Sequence, residues 1–273
     1  MLIKKTENLI LKKTTRWGGG MENYINFIDK VALITGAGSG IGRATAYEFA
    51  EAGAKVVIAD IAETGEETRD YIIKKGNEAI FVKCDVTKME EHQGLLNEII
   101  KQYHKIDFAF NNAGIEQTPN KLAEIDENTW DNVIEVNLKG VWLGMKSQIP
   151  FLIKNGGGVI INTASVAGLK ALADSSAYAS AKAAVAMLSR TAAVEYAKQN
   201  IRINVINPGL VMTEMVARVW REHPEYFETI LDLVPMGRAA EPSEIAKIVV
   251  WLCSEAASYI TGQCIVADGG WLA

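Results

Sequence analysis

The sequence predicts an α/β fold: a single domain on a doubly wound sheet of about seven parallel strands, with helices on both faces. Three observations carry this expectation. Short apolar runs alternate with longer amphipathic ones from Lys30 onward. The short runs are rich in Val, Ile and Phe and lack polar alternation, as expected of strands covered on both faces. No linker, low-complexity tract or internal repeat breaks the alternation within the 273 residues, so one domain is expected.

Taken in order, the strands are Val31 to Thr35, Lys55 to Asp60, Ala79 to Cys84, Ile106 to Phe110, Gly158 to Asn162, Ile201 to Ile206 and Cys264 to Ala267. The intervening helices span Gly40 to Glu51, Glu63 to Lys75, Glu90 to Tyr103, Thr129 to Lys154, Ser176 to Gln199 and Pro242 to Cys253. Strand–helix alternation implies right-handed crossovers between parallel strands. The rhythm breaks between Pro208 and Pro242, where Met212, Met215, Trp220, Tyr226, Phe227 and Met236 stand among charges. An amphipathic insertion after the carboxyl end of a strand is expected to form a substrate lid over about 210–236. Surface helices packed on the core are the plainer alternative.

Composition narrows the function classes. Apolar residues make up 49% of the chain, yet no run of eighteen occurs, so no membrane span is expected. A net charge of −5 argues against a general nucleic-acid binder. Cys84, Cys253 and Cys264 are widely spaced, without metal-ligand or disulfide pattern, which fits a reducing, cytoplasmic setting and no metal. Residues 1–20 read as a leader outside the fold, with Met21 as the natural start and 21–273 as the domain. The leader's first sixteen residues carry five basic side chains against one acid, Glu7, and Leu9 to Leu11 is too short for a signal core.

The first strand runs into Thr35-Gly36-Ala37-Gly38-Ser39-Gly40-Ile41-Gly42 at the start of a helix. Gly36, Gly40 and Gly42 there allow a tight turn, close backbone approach to phosphate and close helix packing. The free N–H groups and positive end of the helix face a pyrophosphate. This is a Rossmann-type arrangement. Asp60 ends the second strand eighteen residues after Gly42, where a carboxylate accepts the adenosine ribose hydroxyls and repels a 2′-phosphate. Two like charges about 4 Å apart cost roughly 4 kcal/mol at an effective dielectric near 20. No arginine stands at position 39, which is Ser, or at 61, which is Ile, so NAD is expected in preference to NADP. A helix-capping role ahead of Ala62 is the alternative for Asp60.

Tyr178 and Lys182, four apart on a helix, share one face, and Ser165 precedes Tyr178 by thirteen residues. A phenol with an ordinary pKa of about 10 needs help to lose its proton near neutrality. The Lys182 ammonium and the positive ring of an oxidised nicotinamide both favour the phenolate. A lowering of about three units corresponds to about 4 kcal/mol. Ser165 is positioned to hydrogen-bond the substrate oxygen. Together these describe hydride transfer between a secondary alcohol or ketone and a nicotinamide cofactor.

The glycine loop, Asn111-Asn112-Ala113-Gly114, Asn137, Ser165, Tyr178-Ala179-Ser180-Ala181-Lys182 and Pro208-Gly209 occur together, in order and spacing. The combination resembles the short-chain dehydrogenase/reductase family from about Phe27 to Asp268-Gly269-Gly270. The resemblance implies that Ser165, Tyr178, Lys182 and Asn137 are catalytic, with Lys182 also holding the nicotinamide ribose. It implies that Asn137 bends its helix and holds a water that relays protons. It places Gly36, Ser39, Gly40, Ile41 and Gly42 at the phosphates, Asp60 and Ile61 at the ribose, and Asp85 and Val86 at the adenine. Asn112, Ala113 and Gly114 would support the adenosine side, Pro208, Gly209 and Val211 the nicotinamide loop, and Thr213 the carboxamide.

Relatives are commonly homotetramers, with the helices of Asn137 and Tyr178 packing across one axis. Trp271 and Leu272 would lie at another axis or fold back on their own subunit. Ser165, Val166, Gly168, Tyr178, Gly209, Leu210 and the segment 212–236 are expected to line an apolar substrate pocket, favouring a hydrophobic or cyclic alcohol. Gly114-Ile115-Glu116 and Val141 to Lys146 resemble bacterial dehydrogenases of cyclic alcohols and diols, with glucose dehydrogenases nearly as close. The first rival is a 3-oxoacyl-carrier-protein reductase, which usually carries Arg where this chain has Ser39 and prefers NADPH. Ser39, Asp60 and the acidic charge disfavour it. The second is a non-catalytic nucleotide sensor, which has no need of an intact Ser165, Tyr178 and Lys182.

Overall fold

The computed structural model describes residues 25–222 and 224–273, so the leader expected at 1–20 lies outside the described residues. Its strands are β1 (Val31–Thr35), β2 (Lys55–Asp60), β3 (Ala79–Lys83), β4 (Phe108–Asn111), β5 (Gly158–Thr163), β6 (Ile201–Pro208) and β7 (Cys264–Ala267). Its helices are α1 (Gly40–Glu51), α2 (Thr64–Lys74), α3 (Met89–Tyr103), α4 (Glu127–Ile134), α5 (Gly140–Lys154), α6 (Ser176–Tyr196), α7 (Glu214–Glu222), α8 (Pro224–Leu231) and α9 (Pro242–Cys253). The seven strands form one all-parallel sheet in the order β3-β2-β1-β4-β5-β6-β7. The chain steps outward from β1 to β3, then returns to β4 on the other side of β1. The loops beyond β1 and β4 therefore diverge and leave a crevice at the carboxyl ends of the strands.

Strand periodicity divides the core into two layers. Ala32 and Ile34 of β1 pack with Phe49 of α1, Ile72 of α2 and Ile245 and Val249 of α9. Val31 and Leu33 face the other way, with Leu95 and Ile99 of α3, Met145 and Ile149 of α5, and Val185 and Ala192 of α6. Each such large apolar side chain contributes roughly 1.5–3 kcal/mol on burial. Both layers clamp the sheet, so the crevice has a rigid floor.

A second element of that floor is polar. Asn111 Nδ2 donates to Gln148 Oε1 at 3.1 Å and to Asn162 Oδ1 at 2.9 Å, and Gln148 Nε2 returns a bond to Asn111 Oδ1 at 2.8 Å. Asn162 Nδ2 donates onward to Ser189 Oγ at 2.8 Å, which donates to the Val185 carbonyl at 2.7 Å. All four side chains are buried. The chain of bonds joins β4, β5, α5 and α6 directly beneath the crevice.

Several element boundaries shift by one to three residues from the sequence reading, and two of the shifts have identifiable causes. The helix expected over Thr129 to Lys154 is α4, a π-helical turn at Glu135–Lys139 and α5. It starts earlier because the Asp126 carboxylate caps the Thr129 N–H at 2.9 Å. β4 begins at Phe108 because the Asp107 side chain takes the Val31 N–H at 2.9 Å, held between Lys30 and Lys105. Trp271 folds back on its own chain, 7% exposed against Val166 and Val234. Among the described residues, no helix is long and apolar enough to cross a membrane.

Candidate active site

The crevice is a cleft of about 410 Å³, and every catalytic or cofactor-site residue expected from the sequence lines it except Gly42. Its floor begins with the glycine turn. Gly36 and Gly40 hold φ values of +64° and +51°, a region that favours glycine. A Cβ on Gly36 would lie 2.8 Å from Ala113 Cα, and one on Gly42 would lie 2.1 Å from the Gly36 carbonyl oxygen. Gly42 thus works beneath the cleft, letting α1 start directly under the turn. No side chain caps α1, so its first-turn N–H groups remain for an anion. This narrow cradle fits a dinucleotide pyrophosphate.

Gly38, which the sequence reading did not single out, proves to be the partner of Asp60. Its N–H donates to Asp60 Oδ2 at 2.8 Å, and a Cβ there would press on the same oxygen at 2.9 Å. The Arg43 guanidinium donates to the Gly38 carbonyl, fixing the peptide from its other side. Asp60 Oδ1 accepts the Ala62 N–H at 2.9 Å. The helix-capping alternative for Asp60 is not what forms: the N-cap of α2 is Glu63, without a side-chain cap bond. Asp60 closes only a local turn, lining the cleft with capacity for a further donor on each oxygen. Neighbouring Ile61 is exposed on the rim.

Asp85 and Val86 form the opposite wall. Burial opposes the Asp85 charge, but hydrogen bonds from Thr87 and the nearby Lys88 outweigh it and hold the carboxyl below its ordinary range. Buried His92, whose imidazole is held low by desolvation, bonds the Val86 carbonyl through Nε2 at 3.0 Å. Thr35 Oγ1 accepts the N–H groups of Asn112 and Ala113 at 3.0 and 3.2 Å, tying the Asn-Ala-Gly segment to β1.

At the other end, Ser165 starts a 3-10 turn at Val166–Gly168, and its Oγ accepts the Ala167 N–H at 3.2 Å. The Ser165 hydroxyl lies beside the Tyr178 phenol in the cleft and favours its ionised form. Lys182 is 3% exposed and donates from Nζ to the Thr163 carbonyl at 3.0 Å. Burial depresses its ammonium to about 8. The Tyr178 phenol is held above its ordinary value by burial, against the Ser165 hydroxyl, with the Glu116 charge acting in the same direction as burial. The lowering expected from Lys182 is thus not supplied by the chain's own residues. Lys182 is too strongly desolvated, and committed to Thr163.

Asn137 sits in the π-helical turn, fully buried. Its Oδ1 accepts the Ile115 N–H and its Nδ2 donates to the Ile115 carbonyl, both at 2.9 Å. A Cβ on Gly114 would lie 2.7 Å from Asn137 Oδ1 and 3.6 Å from Lys182 Nζ, so the missing side chain lets both approach. Gly209 packs against Asp268 and donates to the Ala267 carbonyl at 2.9 Å. Thr213 caps α7 through the Val216 N–H at 3.2 Å and sets its methyl group against Gly40. Val211 is 4% exposed and serves both core and cleft.

The expected apolar pocket needs correction in detail. Val166 and Leu210 pack with Val234 and Trp271, and Gly168 abuts the α6 backbone at Lys182. The apolar walls of the cleft are instead Ile115, Val136 and Val216. The first two adjoin Gly114 and Asn137 in sequence, which was the available signal. Arg218 of α7 reaches Glu116 at 3.4 Å, linking that helix to the loop after β4.

Comparison with known proteins agrees with this geometry. The family model described as enoyl-(acyl carrier protein) reductase matches residues 36–272. Cyclohexanol dehydrogenase of Acinetobacter sp. (strain SE19) is 39% identical over 252 residues, covering 92% of this chain and 97% of its own. The 3-oxoacyl-(acyl-carrier-protein) reductase of Thermotoga maritima is 39% identical over 247 residues, covering 88% and 97%. The crystal structure of levodione reductase superposes with a TM-score of 0.86 at 36% identity, covering 90% of this chain and 98% of its own.

Proposed function

The chain belongs to the short-chain dehydrogenase/reductase family, and on that premise we propose that it oxidises a hydrophobic or cyclic secondary alcohol or diol with NAD. Membership makes it an oxidoreductase acting on CH–OH groups with a nicotinamide cofactor. The observation that carries the rest is what stands along one cleft: Asp60 bonded to Gly38, with Ser165, Tyr178 and Lys182 lining the same space.

A bound oxidised nicotinamide would supply the hydride acceptor and a positive charge that favours the phenolate. Tyr178 takes the hydroxyl proton of the alcohol, and Ser165 hydrogen-bonds the same oxygen as it becomes a carbonyl. Lys182, buried and anchored on Thr163, lines the cleft beside Tyr178 and would hold a ribose hydroxyl of the cofactor. Asn137 keeps the Ile115 loop in place beside it. Ile115, Val136 and Val216 offer an apolar wall to a ring. The helices α7 and α8 would close over it as a lid, and the working assembly would be a homotetramer in the cytoplasm.

Identity alone does not separate an alcohol dehydrogenase from a 3-oxoacyl reductase, since both relatives stand at 39%. Asp60 favours the first, because its carboxylate is held in the cleft by two backbone donors and would repel a 2′-phosphate. The deciding experiment is reduced-cofactor formation with NAD and with NADP across cyclohexanol, cyclic diols, sugars and 3-hydroxyacyl thioesters. NAD-dependent turnover of cyclic alcohols is expected. Faster turnover with NADP, or turnover confined to the thioesters, would overturn the proposal.

A further inference from the structure

Resting on the reading of Tyr178 as acid/base, we infer that Gln117 is a positioning residue that sets the peptide of Tyr178. Tyr178 is in the first turn of α6, whose leading N–H groups have no acceptor within the helix. An N-cap side chain ordinarily fills that need. Ser175, the residue at that place, makes no cap bond and donates instead to the Leu172 carbonyl at 3.0 Å.

The acceptor comes from sixty residues upstream. Gln117 Oε1 takes the N–H of Ala177 at 2.9 Å and of Tyr178 at 3.1 Å. Its Nε2 donates to the Asp174 carbonyl at 3.1 Å. The side chain is 8% exposed, so these bonds are shielded from water. Asp174 adopts a left-handed φ of +60°, uncommon for a residue with a side chain, and the Asn120 N–H also grips its carbonyl at 3.1 Å. One amide thus closes the turn before α6 and caps the helix on the catalytic residue's own N–H.

The link extends to the cofactor side. Asn137 clasps both backbone groups of Ile115, two residues before Gln117. A short rigid path therefore runs from the Asn-Ala-Gly segment to Tyr178, through one clasped peptide and one side-chain amide. The Gln117 oxygen also offsets the positive end of α6 beside the phenol. A carboxylate at the same place would keep the acceptor for the cap, lose the donor to the Asp174 carbonyl, and make the phenol harder to ionise.

The test compares Gln117→Met and Gln117→Glu with the unaltered chain and with Tyr178→Phe. It measures cyclohexanol oxidation by NAD against pH, NADH binding by fluorescence, and hydrogen exchange of the 176–180 amides. Gln117→Met should lower kcat about tenfold or more while KM and NADH binding hold, because a misplaced catalytic group loses rate first. The amides of Ala177 and Tyr178 should lose protection. Gln117→Glu, which keeps the acceptor but not the donor, should restore protection of the Ala177 and Tyr178 amides and part of kcat, with the rise of kcat/KM displaced to higher pH. Unchanged exchange and kcat in Gln117→Met would overturn the inference, as would equal losses in both variants accompanied by lost NADH binding. If Tyr178→Phe turns over normally, or no chain oxidises cyclohexanol, the functional reading is what fails, and the exchange data still decide the placement of Tyr178.

Discussion

Lys182 Nζ stands 5.5 Å from the centre of the Tyr178 ring and gives its hydrogen bond to the Thr163 carbonyl. The two residues share a helix face as their spacing demands, but the ammonium is spent on backbone rather than on the phenol. Buried without a carboxylate bonded to it among the described ion pairs, Lys182 is an unfavourable charge that the fold carries for its site.

That charge should be visible in stability. An ammonium moved from 10.5 to about 8 binds fewer protons folded than unfolded between those values, so stability rises with pH across that window. Below it the burden is about 3 kcal/mol. Lys182→Met should therefore melt a few degrees higher than the unaltered chain at pH 7, with the gain fading as pH approaches 10.5, while losing turnover. A lower melting temperature at pH 7 would contradict the assignment.

Tyr178→Phe should reduce alcohol oxidation by about 10²-fold or more while NADH fluorescence still reports binding. In the unaltered enzyme, oxidation should accelerate as pH rises, because burial keeps the phenol protonated and oxidation requires the base form. Ketone reduction should show the opposite trend. Flat profiles in both directions would remove Tyr178 from the proton path.

Why these residues were legible in advance, and others were not, is a matter of range. Tyr178, Lys182 and the glycines announce themselves by spacing along one helix or one turn. The burial of β1 on both faces likewise appears in five consecutive apolar or near-apolar letters. The π-helical turn stands at Asn137, where the family resemblance implied a bend, whereas Gln117 and Gly38 carry no local signature, since each draws its meaning from a partner about 20 to 60 residues away. The position of Trp271 needed the tertiary structure too, because a terminal aromatic packs equally well on a partner or on its own chain.

Asp60→Ser should narrow the preference for NAD over NADP by between about tenfold and a thousandfold in kcat/KM, the span expected when a charge a few ångströms from a phosphate is removed. The Gly38 N–H also loses its charged acceptor, so affinity for NAD itself should weaken. An unchanged ratio would show that Asp60 does not meet the ribose.

Gly42→Ala places a carbon 2.1 Å from the Gly36 oxygen, so the turn must open or α1 must shift. Overpacking of this kind destabilises by about 1–3 kcal/mol. The denaturation midpoint should fall and NADH affinity should fall with it. Gly76→Ala, at a surface turn with nothing within 4 Å, should leave NADH affinity intact and so separates stability from binding.

The four amide and hydroxyl side chains beneath the cleft have a consequence for anyone trying to redesign it. Asn111, Gln148, Asn162 and Ser189 each satisfy another member of the set, so altering one strands its neighbour's donor or acceptor in the dry interior. A library that varies these positions singly would record four forbidden sites. Varied together, they amount to a single buried joint between two helices and two strands, replaceable only by simultaneous exchange.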